Sequence, residues 1–138
     1  MAMANDASPS EQHRLSCLII EDEFLIAYDL TRTLEDHGFD VYGPAATTGS
    51  ALDLIIKCAP DVAIVDVIGE NWLDYVLALK HRKIPFIVYS GHQRLSDAEA
   101  LVNIPWITKP APEPELIDAL TLVCPRAAGI VGQTSIAC

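Results

Sequence analysis

Five side chains of the kinds that phosphoryl chemistry uses stand where short apolar runs end. Glu21 and Asp22 follow Leu15–Ile20, Asp66 lies near the end of Asp61–Val67, Ser90 ends Pro85–Ser90, and Lys109 follows Ile104–Thr108. A carboxylate that ends an apolar strand is costly unless it is paired or bound to metal. Carboxylates packed together repel one another, and a hard divalent cation such as Mg²⁺ relieves that repulsion. A carboxylate is also a nucleophile toward phosphorus and gives an acyl phosphate. Mg²⁺ and a lysine would then offset charge on the transferred oxygens, and a hydroxyl such as Ser90 would hydrogen-bond one of them. Each residue has a plainer reading. Acidic residues such as Glu23 complement the N-terminus of a following helix, a lone Asp often caps a turn, Ser90-Gly91 can be a turn, and Lys109 a solvated charge. Their conjunction is what points to chemistry.

The elements that must position these residues alternate along the chain. Leu15–Ile20 reads as a buried strand, and Glu23–His37 as a helix with Ala27, Leu30 and Leu34 on its apolar face, stopped by Gly38. Phe39–Gly43 is a second strand, closed by Gly43-Pro44. Thr47 or Thr48 caps a helix that runs to about Cys58 with Leu52, Ile55 and Ile56 inward, and Pro60 ends it. Asp61–Val67 is a third strand, and Glu70–Arg82 a helix through Leu73, Val76, Leu77 and Lys80. Pro85–Ser90 and Ile104–Thr108 are the fourth and fifth strands, with a short, weak helix at Leu95–Asn103 between them. Glu113–Val123 is the last helix, with Pro112 and Pro114 near its start. Strands apolar on both faces, separated by helices, predict an α/β fold: a five-stranded parallel sheet with about five helices covering both faces. In such open sheets ligands bind outside the carboxyl ends of the strands, which converts the scattered residues into one site.

Composition bounds the rest. The chain has 138 residues, enough for one domain with a real core, and 51% of them are hydrophobic. Nine Lys and Arg against nineteen Asp and Glu give a formal charge of −10, which disfavours phosphate backbones and anionic lipid as partners. No apolar run approaches the roughly 18 residues of a membrane span, and Met1–Arg14 lacks the apolar core of a signal peptide. The expected division is a flexible arm over 1–14, a folded domain over 15–124 and a weakly structured tail over 125–138, in a cytoplasmic protein. Cys17, Cys58, Cys124 and Cys138 lack metal-type spacing, and Cys17 and Cys58 sit in apolar contexts that suit buried thiols. Lys80-His81-Arg82-Lys83 falls at a helix C-terminus, where cations complement the dipole. His92 lies near the proposed site and His37 at a helix end, while His13 lies in the arm and takes no role.

The set LIIEDE, DVAIVDV, IVYSG and WITKP, in this order, resembles the receiver domain of two-component response regulators over about Leu15–Val123. The resemblance implies a doubly wound, flavodoxin-like (CheY-like) sheet. It makes Asp66 the phosphoacceptor, with Mg²⁺ held by Asp22 and Asp66, by Glu21 through water, and by the backbone carbonyl of Ile68. Ser90 and Trp106 match the switch hydroxyl and switch aromatic. Lys109 matches the phosphate-pairing lysine, and Lys109-Pro110 would be a cis peptide. The chain departs from the family in having Glu21 where Asp is commoner, Trp106 for Tyr or Phe, and Gly91 where many members have Ala. Tyr42–Thr47 (YGPAAT) looks like a single-domain alphaproteobacterial subgroup. Of that subgroup's Phe-Ala-Thr-Gly-x-Tyr, the run Val88–Gln93 keeps the hydroxyl and the glycine.

The implied function is that of a stand-alone phosphoacceptor switch, not an enzyme, served by a sensor histidine kinase or phosphotransfer protein. It would signal by protein contact or drain phosphoryl groups. Two alternatives stay open. One is a pseudo-receiver that binds partners without phosphorylation. The other is a Mg²⁺-dependent phosphohydrolase of the haloacid dehalogenase type, for which Ile68 stands where a second Asp is wanted. No Gly-x-Gly-x-x-Gly opens the first helix, so a dinucleotide-binding domain fits poorly.

Overall fold

A computed structural model describes residues 14–67, 71–92 and 98–127. Strand β1 (Ser16–Ile20) leads into helix α1 (Phe24–Asp36), β2 (Asp40–Ala45) into α2 (Thr48–Cys58), and β3 (Val62–Val65) into α3 (Trp72–His81). After β4 (Phe86–Ser90) come a 3₁₀ turn (Glu99–Leu101), β5 (Trp106–Thr108) and α4 (Glu113–Val123). The strands are all parallel, in the order β2-β1-β3-β4-β5. Successive strands step outward from β1 to β2, then from β3 to β4 and β5. The order therefore reverses between β1 and β3, and a crevice opens outside their carboxyl ends. Glu21-Asp22 and Asp66 occupy those two ends.

The alternation of side chains along β1 divides the core. Cys17 and Ile19 face α1 and α4, packing with Leu30, Leu34, Phe39, Leu116 and Leu120. Leu18 and Ile20 face the other layer, with Ala51, Ile55, Val76 and Leu79 of α2 and α3. Each large side chain fully buried in these layers contributes about 1.5–3 kcal/mol relative to exposure. The α1 face is the expected one, with Ala27, Leu30 and Leu34 buried. The bounds of α4 coincide with the predicted Glu113–Val123.

Three expectations are corrected. The second strand does not close at Gly43-Pro44 but runs on to Ala45, with a register shift against β1 between Leu18 and Ile20. Gly43 takes φ +98°, and a Cβ there would lie 2.7 Å from the Ile19 carbonyl oxygen, so only glycine lets the strand pass. Gly43-Pro44 is a cis peptide, as is Lys109-Pro110. On α2 the buried residues are Ala51 and Ile55, and Ile56 is 57% exposed. On α3 they are Tyr75, Val76 and Leu79, with Leu73 and Leu77 exposed. Of Leu95–Asn103, the described part forms only the 3₁₀ turn, and residues 95–97 lie outside the described residues. Among the described residues there are four α-helices and this turn, where about five helices were expected.

Thr47 is the cap of α2, its hydroxyl accepting from the Ser50 amide at 3.1 Å. Cys17 is buried, whereas Cys58 at the end of α2 is only half-buried. Beyond α4, Arg126 pairs with Asp61 at 3.1 Å and Ala127 is buried in the α1/α4 layer. Residues 1–13 and 128–138, which hold most of the expected arm and tail, lie outside the described residues. No helix among the described residues is long and apolar enough to cross a membrane.

Candidate functional site: an acidic crevice with a buried lysine

β1 delivers Glu21 and Asp22 directly from its last residue, and the Glu21 amide, donating to the Ala45 carbonyl at 3.0 Å, locks that turn to β2. Asp66 follows β3, its amide donating to the Ile20 carbonyl at 2.9 Å. Lys109 follows β5, its amide donating to the Ser90 carbonyl at 2.9 Å. Backbone ladders alone thus place the acidic residues and the lysine at one edge.

The Lys109 ammonium lies 2.6 Å from Glu21 Oε1 and 2.8 Å from Asp66 Oδ2, and 3.6 Å from Glu23 Oε1. Glu21 and Asp66 are both buried, each only 3% exposed. Burial pushes the Glu21 carboxyl above its usual range, and the hydrogen bond from Lys109 opposes that shift. For Lys109 burial pulls the other way, but its hydrogen bonds to Asp66 and Glu21 prevail and hold the ammonium above the usual lysine value. Glu23 is the N-cap residue of α1 without a side-chain cap hydrogen bond, and its carboxylate also lies 3.6 Å from the Lys109 ammonium.

Oxygens of Glu21, Asp22, Glu23 and Asp66 all lie within 4.8 Å of one another. Among the described residues, Asp66 Oδ1 is the buried side-chain polar atom without a hydrogen-bond partner. A buried carboxylate oxygen left bare among other carboxylates fits a hard cation, because all its neighbours are oxygen ligands of the kind Mg²⁺ prefers. Of the expected ligand set, Ile68 lies outside the described residues.

Ser90 is fully buried at the end of β4, where its hydroxyl accepts from the His92 amide at 3.2 Å. Trp106 opens β5 opposite Val88, half-buried, and its indole N–H donates to the His92 carbonyl at 3.1 Å. His92 therefore joins Ser90 to Trp106 through its backbone. His37 lies away from these groups, its Nδ1 2.9 Å from the Thr33 carbonyl and its Nε2 3.8 Å from Glu113. Lys80 donates to the Ala100 carbonyl at 2.9 Å, which gives the basic run at the end of α3 a structural use.

Sequence reasoning missed two sets of residues here: Thr47, Thr48 and Tyr75 beside the acidic cluster, and the exposed start of α1. A cleft of about 140 Å³ beside the acidic cluster is lined by Asp22, Asp66, Thr47, Thr48 and Tyr75. The Tyr75 hydroxyl donates to the Asp66 carbonyl. Burial, with Asp66, Asp22 and Glu21 nearby, raises its phenol well above the usual tyrosine range, so it stays a donor. Nothing in the spacing of Asp66 and Tyr75 announces this bond. The second set is Phe24, Leu25 and Tyr28 on α1, which are exposed at 76%, 73% and 50%. Phe24 stacks on Tyr28 with ring centroids 6.3 Å apart, and the Arg32 guanidinium lies over the Tyr28 ring at 5.8 Å. Three large exposed apolar residues opening a helix directly after Glu23 were the available signal.

No protein-family model matches the chain. The transcriptional regulatory protein PdtaR of Mycobacterium tuberculosis is 30% identical over 118 residues, covering 79% of this chain and 56% of that protein. The chain thus spans about half the length of the curated relatives it matches. The CheY-like response regulator receiver domain protein of Methanospirillum hungatei superposes with a TM-score of 0.73 at 22% identity, over 84% of this chain and 98% of that one. The response regulator receiver protein of Sinorhizobium medicae gives 0.69 at 22% identity, over 83% and 97%. The CheY4 chemotaxis protein of Vibrio cholerae gives 0.68 at 21%, over 80% and 98%. The chain has the fold of the CheY-like receiver domains of response regulators.

Proposed function

We propose that this chain is a phosphoacceptor switch that takes a phosphoryl group onto Asp66 from a sensor histidine kinase or phosphotransfer protein in the cytoplasm. One observation carries the reading: the Asp66 carboxylate has one oxygen on the Lys109 ammonium at 2.8 Å and the other bare, inside an oxygen-rich crevice. Asp22 and Asp66 would hold Mg²⁺ directly, with Glu21 acting through water and the Ile68 carbonyl as a further ligand. When bound, the metal offsets negative charge on the transferred phosphoryl oxygens.

This chain's own residues account for the remaining chemistry. The Asp66 carboxylate forms the new O–P bond as the P–N bond of a phosphohistidine donor breaks, the leaving imidazole nitrogen keeping the electron pair. Lys109 stands beside that carboxylate and turns its ammonium to a phosphoryl oxygen. The Ser90 hydroxyl is drawn to another. Because the His92 amide donates to Ser90 and the His92 carbonyl accepts from Trp106, a shift of Ser90 is felt by the indole. The altered surface is then read by a partner protein, or the acyl phosphate serves as a drain. The donor protein approaches over α1, where Phe24 and Leu25 offer apolar surface beside the crevice.

Incubation with acetyl phosphate and Mg²⁺, followed by intact-mass and peptide analysis, tests the reading. One phosphoryl group is expected on the wild type and none on Asp66→Asn. A wild type that neither acetyl phosphate nor a cognate kinase ever labels would overturn it in favour of a phosphorylation-independent module. Labelling that survives Asp66→Asn moves the site elsewhere, and turnover of a generic phosphomonoester favours a hydrolase.

A further inference from the structure

The backbone of Asp66 is held from two sides. Its amide donates to the Ile20 carbonyl at 2.9 Å across the sheet, and its carbonyl accepts from the Tyr75 hydroxyl, one turn into α3. Tyr75 is buried as part of the α2/α3 layer, which holds its ring in place. The same residue walls the cleft that contains Asp22 and Asp66. A phenol reaching from a rigid helix to a carbonyl at a strand end constrains the ψ of that residue, and with it the direction of the side chain. Lys109 meanwhile occupies only Oδ2.

We infer that Tyr75 is a positioning residue for Asp66: its hydroxyl bond to the Asp66 carbonyl keeps the bare carboxylate oxygen aimed into the acidic cleft. The Tyr75 hydroxyl is engaged by the Asp66 carbonyl, so Tyr75 acts through Asp66. The inference rests on the phosphoacceptor reading and deepens it, because it assigns the aim of the accepting carboxylate to a helix outside the motif set.

The purified chain is titrated with Mg²⁺ by calorimetry as wild type, Tyr75→Phe and Val76→Ala, with thermal melts of all three and ¹³C carbonyl shifts of Asp66. Val76 is fully buried on the same helix but makes no bond to Asp66, so its truncation supplies a comparable loosening of the core. Tyr75→Phe is expected to weaken Mg²⁺ binding about tenfold, the lower end for loss of a group supporting a ligand, and to shift the Asp66 carbonyl resonance upfield. Val76→Ala is expected to lower the melting temperature and leave Mg²⁺ affinity within about twofold, as for a site without shared partners. Unchanged affinity in Tyr75→Phe, or an equal loss in Val76→Ala, would overturn the assignment while the phosphoacceptor reading stands. A wild type that binds no Mg²⁺ removes that reading and the inference with it.

Discussion

Lys109 Nζ sits 2.8 Å from Asp66 Oδ2 and leaves Asp66 Oδ1 without a hydrogen-bond partner among the described residues. The same ammonium reaches Glu21 at 2.6 Å, so one cation from the end of β5 holds together carboxylates from the ends of β1 and β3. The lysine thereby keeps two buried like charges tolerable while one oxygen stays available.

Replacing that lysine exposes the repulsion. Lys109→Met leaves Glu21 and Asp66 buried and uncompensated, and removing one partner of a buried pair costs about 3–5 kcal/mol. Thermal melts in a chelator should fall accordingly, and added Mg²⁺ should recover part of the loss. A variant as stable as wild type in the chelator would show that the ion pair is not what holds these residues.

Metal linkage supplies a second check. At a hundredfold excess over Kd, a ligand that binds only the folded state adds about 2.7 kcal/mol. Wild-type melts should therefore rise with Mg²⁺. Asp22 is exposed, so Asp22→Ala should change metal-free stability by no more than about 0.5 kcal/mol while removing most of that rise. A rise that persists undiminished in Asp22→Ala would remove that residue from the ligand set.

On the proposed reading, the exposed start of α1 serves donor docking and the crevice serves the chemistry. The double variant Phe24→Ser, Leu25→Ser should keep wild-type labelling by acetyl phosphate, which needs only the crevice. Transfer from a cognate kinase should slow by at least about tenfold, the effect of losing interface anchors worth more than 1 kcal/mol. Equal slowing with both donors would place the defect in the site itself.

Gly43 offers a stability test remote from charge. Gly43→Ala puts a Cβ 2.7 Å from the Ile19 carbonyl oxygen at φ +98°, a strain of about 1–3 kcal/mol. Denaturant melts should register it as a lowered midpoint. No change would mean that β2 rearranges freely at this point.

The buried Cys17 thiol gives a pH dependence. Burial, with the Cys124 thiol adding to it, raises the Cys17 pKa far above its ordinary value of 9.0. The folded state thus keeps a proton that the unfolded chain releases. Its contribution is intact below about pH 9 and is lost as pH climbs toward the raised value. Cys17→Ala should lower stability at neutral pH yet flatten the decline measured above pH 9, and an equally steep decline would assign it to other groups.

How far the sequence could be read depended on how much choice each segment left. In α1, Ala27, Leu30 and Leu34 are a single apolar stripe among polar neighbours, so the buried face followed from periodicity. In α3, Trp72, Leu73, Tyr75, Val76, Leu77, Ala78 and Leu79 are apolar nearly all round. Which stripe faced inward was settled by packing on the sheet, and Tyr75 rather than Leu73 or Leu77 was chosen. At the end of β2 the Gly-Pro pair, which normally breaks a strand, does not end it: a glycine at positive φ passes close beneath the Ile19 carbonyl and the pairing resumes at Ala45.

The amino-acid sequence alone determined the alternation of strands and helices, the parallel sheet, and the presence of acidic, hydroxyl and lysine residues at strand ends, because these are written in local periodicity and residue type. The tertiary structure decided which atoms meet. It gave Lys109 to Glu21, Glu23 and Asp66 together, left Asp66 Oδ1 bare, tied Ser90 to Trp106 through His92, and brought Tyr75 to the Asp66 carbonyl. Those contacts depend on strand order and helix rotation, which arise from the packing of two apolar layers on one twisted sheet and have no signature in the spacing of residues along the chain.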